Sequence, residues 1–481
     1  MANFWMMIAI LLPIAAGFLY LALGHGPQLM RRLYVMGVML LDSALVVALC
    51  LNAPERSLTF MAFTRSLQME FRLDSLGRLF ALLLAILYPL TTLYAFSYLA
   101  HWRHNRPFFM FFLMSYGVTL GICFAGNLLT LYCFYELLTL TTMPLVMNQM
   151  DHDSIRAART YLMYSIGGAS LAFVGVVYLI ENGVSSFELG GGLWAETTME
   201  QVIYVLTFIG FSVKAAIFPL HTWLPRASVA PTPVTALLHA VAVVKAGAFA
   251  VFRLTYYAYR AESLRGTWAQ TVVLLLCAVT IVYGSVIAMR QIHFKRRLAY
   301  STVANMSYIL FGAALMTREG MSAGLQHLLF HAITKILAFF CAGAVLHMTE
   351  KEYVRDLDGM GYSMPVTFAC FTVSSLSLVG IPPLCGFISK WNLLSAAAAL
   401  ATPWAYVGAA ALLISALCTS IYMFGVCARA YFPKGGRLPL EKTEADWRMT
   451  LPMAALALAV VVCGLAAQPI CKWTFDIALG L

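Results

Sequence analysis

The sequence predicts an all-α protein that crosses a lipid bilayer about fourteen times. Three observations carry this. Of 481 residues, 61% are hydrophobic and only 11% charged, the balance of a chain whose surface faces lipid. Apolar runs of about 20 residues, long enough to cross about 30 Å of hydrocarbon, recur from end to end. The charges gather in short segments between those runs, with lysine and arginine concentrated in every second segment.

The runs lie at 3–24, 33–52, 74–100, 108–125, 127–147, 158–181, 201–220, 230–256, 268–289, 297–316, 322–348, 364–397, 404–428 and 449–470. The first, Phe4 to Leu23, has neither a basic leader nor a small-residue cleavage site and is expected to be a retained span. The seventh gives way to Phe218-Pro219 and then Pro225 to Pro233, a proline-rich stretch that interrupts the helical ladder before the eighth begins. The twelfth is too long for one straight helix and contains Gly380-Ile-Pro-Pro383, which removes backbone donors. A broken helix survives in a membrane only where protein or water satisfies its freed backbone groups.

The odd-numbered loops hold 18 of the 31 lysines and arginines. Among them are Arg31, Arg32, Arg103, Arg106, Arg156, Arg159, the cluster Arg290, Lys295, Arg296 and Arg297, and five residues from Arg429 to Arg448. The positive-inside rule then puts odd loops in the cytoplasm and both termini on the outer side of the cytoplasmic membrane. The net charge of +10 is mostly this asymmetry, and no extramembrane domain supports a nucleic-acid partner. The 11 cysteines are scattered through apolar runs with no Cys-x-x-Cys pair or His/Cys cluster, and read as small buried hydrophobes rather than metal ligands. Gly190-Gly191-Gly192, in the loop 182–200, opens no strand–helix unit and reads as a linker, not a nucleotide loop. No cofactor or metal is expected in this chain, so any electron chemistry belongs to another subunit.

Of 21 acidic residues only Asp42 and Glu136 fall well inside spans, with six basic ones: Arg78, Lys214, Lys245, Arg253, Lys335 and Lys390. A charge at bilayer depth is costly unless it faces protein or water, which makes each a functional candidate. Arg78 and Arg253 stand near span ends, where snorkelling to the interface accounts for them. Asp42, midway along the second span, is either hydrogen-bonded inside the bundle or placed at an interface or an ion site. The lysines have no such explanation. Lys214 precedes the first break, Lys245 lies in the span after it, and Lys390 follows the second break by seven residues. His327, His331 and Lys335, spaced by four, drift about 40° per step and line one face over about 12 Å. Imidazole passes protons near neutrality and a desolvated lysine can do the same, so the stripe reads as a proton ladder rather than three structural core groups.

The run Lys214-Ala-Ala-Ile-Phe-Pro-Leu-His-Thr-Trp-Leu-Pro225, then Ala230-Pro-Thr-Pro-Val-Thr-Ala-Leu-Leu-His239 and Val244-Lys245-Ala-Gly247, resembles a known signature. It is that of the antiporter-like, proton-translocating subunits of respiratory complex I, membrane-bound hydrogenases and Mrp-type Na+/H+ antiporters. The resemblance extends back to Tyr135-Glu136 and on through Lys295-Arg-Arg-Leu-Ala-Tyr-Ser-Thr302, His327 to Lys335, and Gly380-Ile-Pro-Pro-Leu-Cys-Gly-Phe-Ile-Ser-Lys390-Trp391. It covers roughly residues 70–430.

The resemblance implies N-terminal helices 1–3 (residues 1–107), two inverted five-helix repeats with broken helices 7 and 12 (108–257 and 268–430), and a final helix and tail (449–481). It implies that Glu136 pairs with Lys214, that Lys245 joins the two half-channels, and that Lys390 serves the exit, with His331 and Lys335 as relay. His239 and His327 join the proton-transfer set as members of the matching motifs. A carboxylate moving toward or away from a buried ammonium changes that group's hold on its proton, so a neighbouring subunit acting on Glu136 could switch Lys214. Three departures stand out: Asn305 where many relatives have histidine, Arg226 after Leu224-Pro225 where complex I subunits often carry an acid, and Lys390 where one subtype has glutamate. Arg226 leans toward the hydrogenase or Mrp side. The lateral helix of the distal complex I subunit is not expected after the last span.

The expected function is proton translocation within a complex I-like redox-driven pump of membrane-bound hydrogenase type, with an Mrp-type Na+/H+ antiporter subunit as the alternative. The expected partners are antiporter-like and small membrane subunits, a redox arm carrying the cofactors, the lipid bilayer, and protons with Na+ as a second candidate ion. A stand-alone secondary solute carrier shares broken helices but would need a polar substrate pocket at mid-depth, where this sequence offers a line of titratable groups. A lipid-modifying enzyme would need clustered catalytic groups near an interface, which solitary Glu136 does not supply.

Overall fold

The computed structural model describes all residues except 1, 23–26, 56, 65–66, 101–104, 185, 434–440 and 481. Arg103, and Lys434 and Arg437 of the basic set after Arg429, lie outside the described residues.

The chain opens with α1 (Ala2–Ala22) and α2 (Gln28–Asn52), followed by an antiparallel hairpin of β1 (Ser57–Ala62) and β2 (Gln68–Arg72). Then come α3 (Ser75–Tyr98), α4 (Asn105–Cys123), α5 (Leu128–Val146), α6 (His152–Glu181), α7 (Thr198–Ser212), α8 (Trp223–Ala227), α9 (Thr232–Ala240) and α10 (Val243–Arg253). The second half holds α11 (Ala261–Leu264), α12 (Trp268–Arg290), α13 (Phe294–Ala314), α14 (Arg318–Thr349), α15 (Met360–Ser363), α16 (Pro365–Val379) and α17 (Cys385–Leu400). The last helices are α18 (Pro403–Tyr431), α19 (Trp447–Leu465) and α20 (Ala467–Leu479).

The polar residues between apolar runs start these helices. Asp74, Asn127, Asp151, Thr267, Thr317 and Thr402 each accept a backbone N–H of the following first turn, and Thr197 forms a capping box with Glu200. Each such cap is worth about 1 kcal/mol. At Asp151 the Ser154 bonds also hold the carboxyl below the usual carboxylate range.

Among the described residues, 11 helices are long and apolar enough to cross a membrane. The expected spans outside that set are 201–220, 297–316 and 364–397, and each has a visible reason. Helix α7 stops at Ser212, α13 carries Lys295, Arg296 and Arg297 in its first turn, and the 364–397 run divides into α16 and α17. The chain is a multi-pass, almost wholly helical membrane protein, as its composition predicts.

The long α14 stands at the centre, packed by α9, α13, α16, α17, α19 and α20. The segment from Thr232 to Ala258 is enclosed by protein along its whole length. It is not the continuous helix that its apolar run predicts. The helix is interrupted at Val241 and Ala242 between α9 and α10, where Val241 departs from helical geometry, and a π-helical turn, Leu254–Ala258, follows α10. The final run likewise breaks at Ala466, where α20 begins.

Arg253 overturns the snorkelling expectation. It is fully buried and grips Asp74 through two hydrogen bonds, Nη2 to Oδ1 at 2.7 Å and Nη1 to Oδ2. The rings of Phe187, Phe249 and Tyr257 surround its guanidinium. With a carboxylate and three ring faces available inside the protein, the side chain gains nothing by reaching for the interface. Arg78 does reach a span end, donating to Ala53 O at 2.7 Å.

Candidate functional site

The first break carries Lys214 in the irregular segment after α7 rather than inside the helix, where the apolar run placed it. The chain turns sharply there, with Ala216 at φ 60°. Helix α10 packs directly onto this segment because Gly247 has no side chain: a Cβ there would lie 2.7 Å from Ala215 N and 3.1 Å from Lys214 Cβ. Lys214 is thereby pressed toward α5. Its ammonium donates to the Tyr135 carbonyl, lies 3.5 Å from the centre of the Tyr135 ring, and sits 3.8 Å from Glu136 Oε1. Lys214 is buried, whereas the Glu136 side chain is 29% exposed on the outer face of α5.

Lys245 follows the irregular turn at Val241 and Ala242, which sets α10 off from α9 and points this lysine at α13 and α14. Its Nζ lies 2.7 Å from His331 Nδ1 and 3.3 Å from Met306 Sδ. One turn along α14, the His327 ring stands 5.8 Å from that of His331. His327 Nδ1 meets Ser389 Oγ at 2.9 Å and its Nε2 meets Asn305 Oδ1 at 3.3 Å. Asn305 is thus a direct hydrogen-bond partner of His327.

Lys335, two turns beyond His327 on α14, is completely buried, and its Nζ has no hydrogen-bond partner among the described residues. His239 on α9 is in the same state at both ring nitrogens and packs 4.9 Å from Phe339.

At the second break α16 ends on Gly380, whose φ of 96° is a left-handed conformation natural to glycine. Lys390 on α17 folds back against that end, donating to Val379 O at 3.1 Å and to Leu378 O. These last-turn carbonyls have no intrahelical partner, so the lysine satisfies acceptors that the break exposes. The Gly380 position is also crowded by this lysine, with Lys390 Cδ 3.2 Å from where a Cβ would be. Lys390 Nζ lies 5.5 Å from the Tyr308 ring, and that ring lies 5.2 Å from His327.

The eight residues singled out from sequence fall into two contacting groups and two buried groups lacking hydrogen bonds. Glu136 and Lys214 form one group; Lys245, His331 and His327 form the other, which reaches the Lys390 region through Ser389 and Tyr308. The partnerless members are His239 and Lys335. Sequence reasoning missed Ser389, Tyr308 and Met306 as members, because a serine, tyrosine or methionine in a span carries no cost that would flag it. A cavity of about 500 Å³ opens at the end of this assembly, lined by Asp151, Asp153, Ser228, His293, Lys295 and Glu352 among others. Lys295 projects there from α13 and donates to Ala230 O at 2.8 Å.

A membrane bundle with two broken helices and a buried file of lysines and histidines between them defines an ion-conducting class of protein. Residues 125–419 match the family described as NADH:quinone oxidoreductase/Mrp antiporter, transmembrane, and the chain belongs to that family. It is 34% identical over 400 residues to NADH-quinone oxidoreductase subunit N of Desulforudis audaxviator, an alignment covering 78% of this chain and 77% of the relative. It is 30% identical over 424 residues to Na(+)/H(+) antiporter subunit A1 of Staphylococcus aureus, covering 82% of this chain but 52% of that subunit. The chain thus spans about half the length of the antiporter relative.

Among solved structures, a chain of respiratory complex I from Thermus thermophilus superposes with a TM-score of 0.83 at 25% identity, covering 99% of both chains. A chain of the archaeal membrane-bound sulfane sulfur reductase gives 0.86 at 23% identity, covering 99% of this chain and 97% of that one. A chain of the Mrp complex from Dietzia sp. gives 0.84 at 20%, with the same coverage; these last two show the shared fold.

Proposed function

We propose that the chain is a proton-translocating, antiporter-like subunit of a multisubunit membrane complex that is driven by a redox reaction. The observation that carries this is the short Lys245–His331 contact, which joins the helix after the first break to the central ladder on α14. Protons enter at the cavity beside Lys295 and Asp151, reach the buried lysines, and leave past Lys390. His239 is the intermediate stop on this side. The segments 108–257 and 268–430 act as inverted repeats, each contributing one broken helix to the file.

Glu136 is the control point. Its carboxylate both touches Lys214 and is partly exposed on the outside of α5, so a neighbouring subunit packed there would alter the electrostatic hold on the Lys214 proton. Each charge moved against the membrane potential costs about 2.3 kcal/mol per 100 mV. A redox arm supplies that energy in the first reading, in a complex of the hydrogenase, sulfur-reductase or quinone-reducing kind. The identity with antiporter subunit A1 favours a second reading, an Mrp-type assembly driven by exchange with Na+. In both, odd loops face the cytoplasm and both termini face outward.

Purification in mild detergent with identification of co-purifying subunits tests this. Membrane subunits accompanied by iron–sulfur or other electron carriers support the redox reading, and antiporter-type subunits alone support the second. A chain that purifies alone and transports ions by itself contradicts both.

A further inference from the structure

Asp42 is fully buried midway along α2, and neither carboxyl oxygen has a hydrogen-bond partner among the described residues. Among the described residues it accepts no hydrogen bond, and it is not on the protein's surface. An ionised carboxylate in this setting is one of the most costly groups that a membrane interior can hold.

The neighbouring arginines do not relieve it. Arg32 donates to Phe96 O, and Arg78 donates to Ala53 O. Arg32 and Ala53 are ten and eleven residues from Asp42 along α2, about 15 Å in either direction. An ionised carboxylate there needs a bound cation, and without one it holds its proton.

The surroundings offer oxygen rather than charge. Ser43 Oγ, on the next residue, lies 3.0 Å from Tyr116 OH. The Tyr116 ring packs 4.6 Å from Tyr88, whose hydroxyl lies 3.3 Å from Ser115 Oγ. Tyr88 of α3 and Tyr116 of α4 are the titratable groups facing this level from adjacent helices, Cys50 lies two turns along α2 itself, and the middle of α1 is apolar. A buried carboxyl with no ion pair among the described residues, next in sequence to a hydrogen-bonded pair of hydroxyls, suits a small monovalent cation.

We propose that Asp42, with the hydroxyls of Ser43 and Tyr116, forms a binding site for a small monovalent cation, separate from the lysine file. The site lies outside residues 125–419 and does not depend on the proton path proposed above.

Infrared difference spectroscopy on the intact complex tests this, with pH and NaCl as the variables. The expected result is a carbonyl band of a protonated carboxylic acid that is lost in Asp42→Asn. If Na+ is the competing occupant, NaCl converts the band to a carboxylate signal, and the Na+ needed for half conversion rises about tenfold per unit fall in pH. A band that persists unchanged in NaCl and still vanishes in Asp42→Asn means that the carboxyl holds only a proton, and it overturns the cation site. An assembled Tyr116→Phe variant shifts the band in frequency, giving a second readout should Asp42→Asn fail to assemble. Wild-type and Asp42→Asn spectra that coincide at every pH and NaCl concentration, or a Tyr116→Phe band identical to wild type where only that variant assembles, overturn the proposal.

Discussion

Nζ of Lys245 lies 2.7 Å from Nδ1 of His331, so α10 and α14 meet through a contact that accommodates a single proton between two nitrogens. At that separation one nitrogen donates and the other accepts; two protonated nitrogens would repel. The geometry therefore makes the proton of either residue sensitive to the charge of the other. In the proposed path it is the point where the ladder on α14 takes up or gives back a proton without a large movement of either helix.

Glu136→Gln keeps the volume of the side chain but removes the charge 3.8 Å from Lys214. The expected outcome is normal assembly with proton pumping reduced at least about tenfold, a barrier change of about 1.4 kcal/mol. Pumping assays on reconstituted complex check this, and wild-type pumping by a fully assembled variant removes Glu136 as a switch.

Gly380→Ala places a Cβ 3.2 Å from Lys390 Cδ and demands a left-handed backbone of a residue that disfavours it by about 1–2 kcal/mol. Activity is expected to fall with little loss of assembled protein, because the strain is local and lands on the Lys390 side chain. The same activity in Gly380→Ala as in wild type would mean that Lys390 is free to move, against the contacts with Leu378 and Val379.

Arg253→Leu leaves Asp74 buried without its guanidinium partner, and losing one member of such a pair costs about 3–5 kcal/mol. Asp74 also caps α3 through Gly77 N–H, so the damage should reach that helix start. Thermal unfolding of the purified complex is expected to show a lower midpoint and less protein in the membrane. In surviving molecules, pumping per assembled complex should be unchanged, since this pair is apart from the lysine file.

Much of this arrangement was legible in the sequence for one reason: charge in a bilayer is costly, so Lys214, Lys245, Lys335, Lys390 and the histidines announce themselves. The two breaks were legible through Pro219 and the Gly380 to Pro383 run. The interruption at Val241 and Ala242 was not, because neither residue is a helix breaker and the geometry there is imposed by packing around an enclosed segment. The partner of Arg253 was hidden because Asp74 lies 179 residues away at the edge of a predicted span. The roles of Asn305 and Ser389 against His327 depend on how α13 and α17 approach α14, which periodicity cannot specify.

Proton pumping by Lys245→Arg, measured in reconstituted complex beside wild type and Lys245→Ala, tests the central claim most directly. Arginine keeps a positive charge at this position yet does not release its proton at any accessible pH. The arginine variant is expected to be nearly as defective as the alanine variant, with assembly retained. Full pumping by Lys245→Arg would show that the position supplies a fixed charge and would contradict a proton passing between Lys245 and His331.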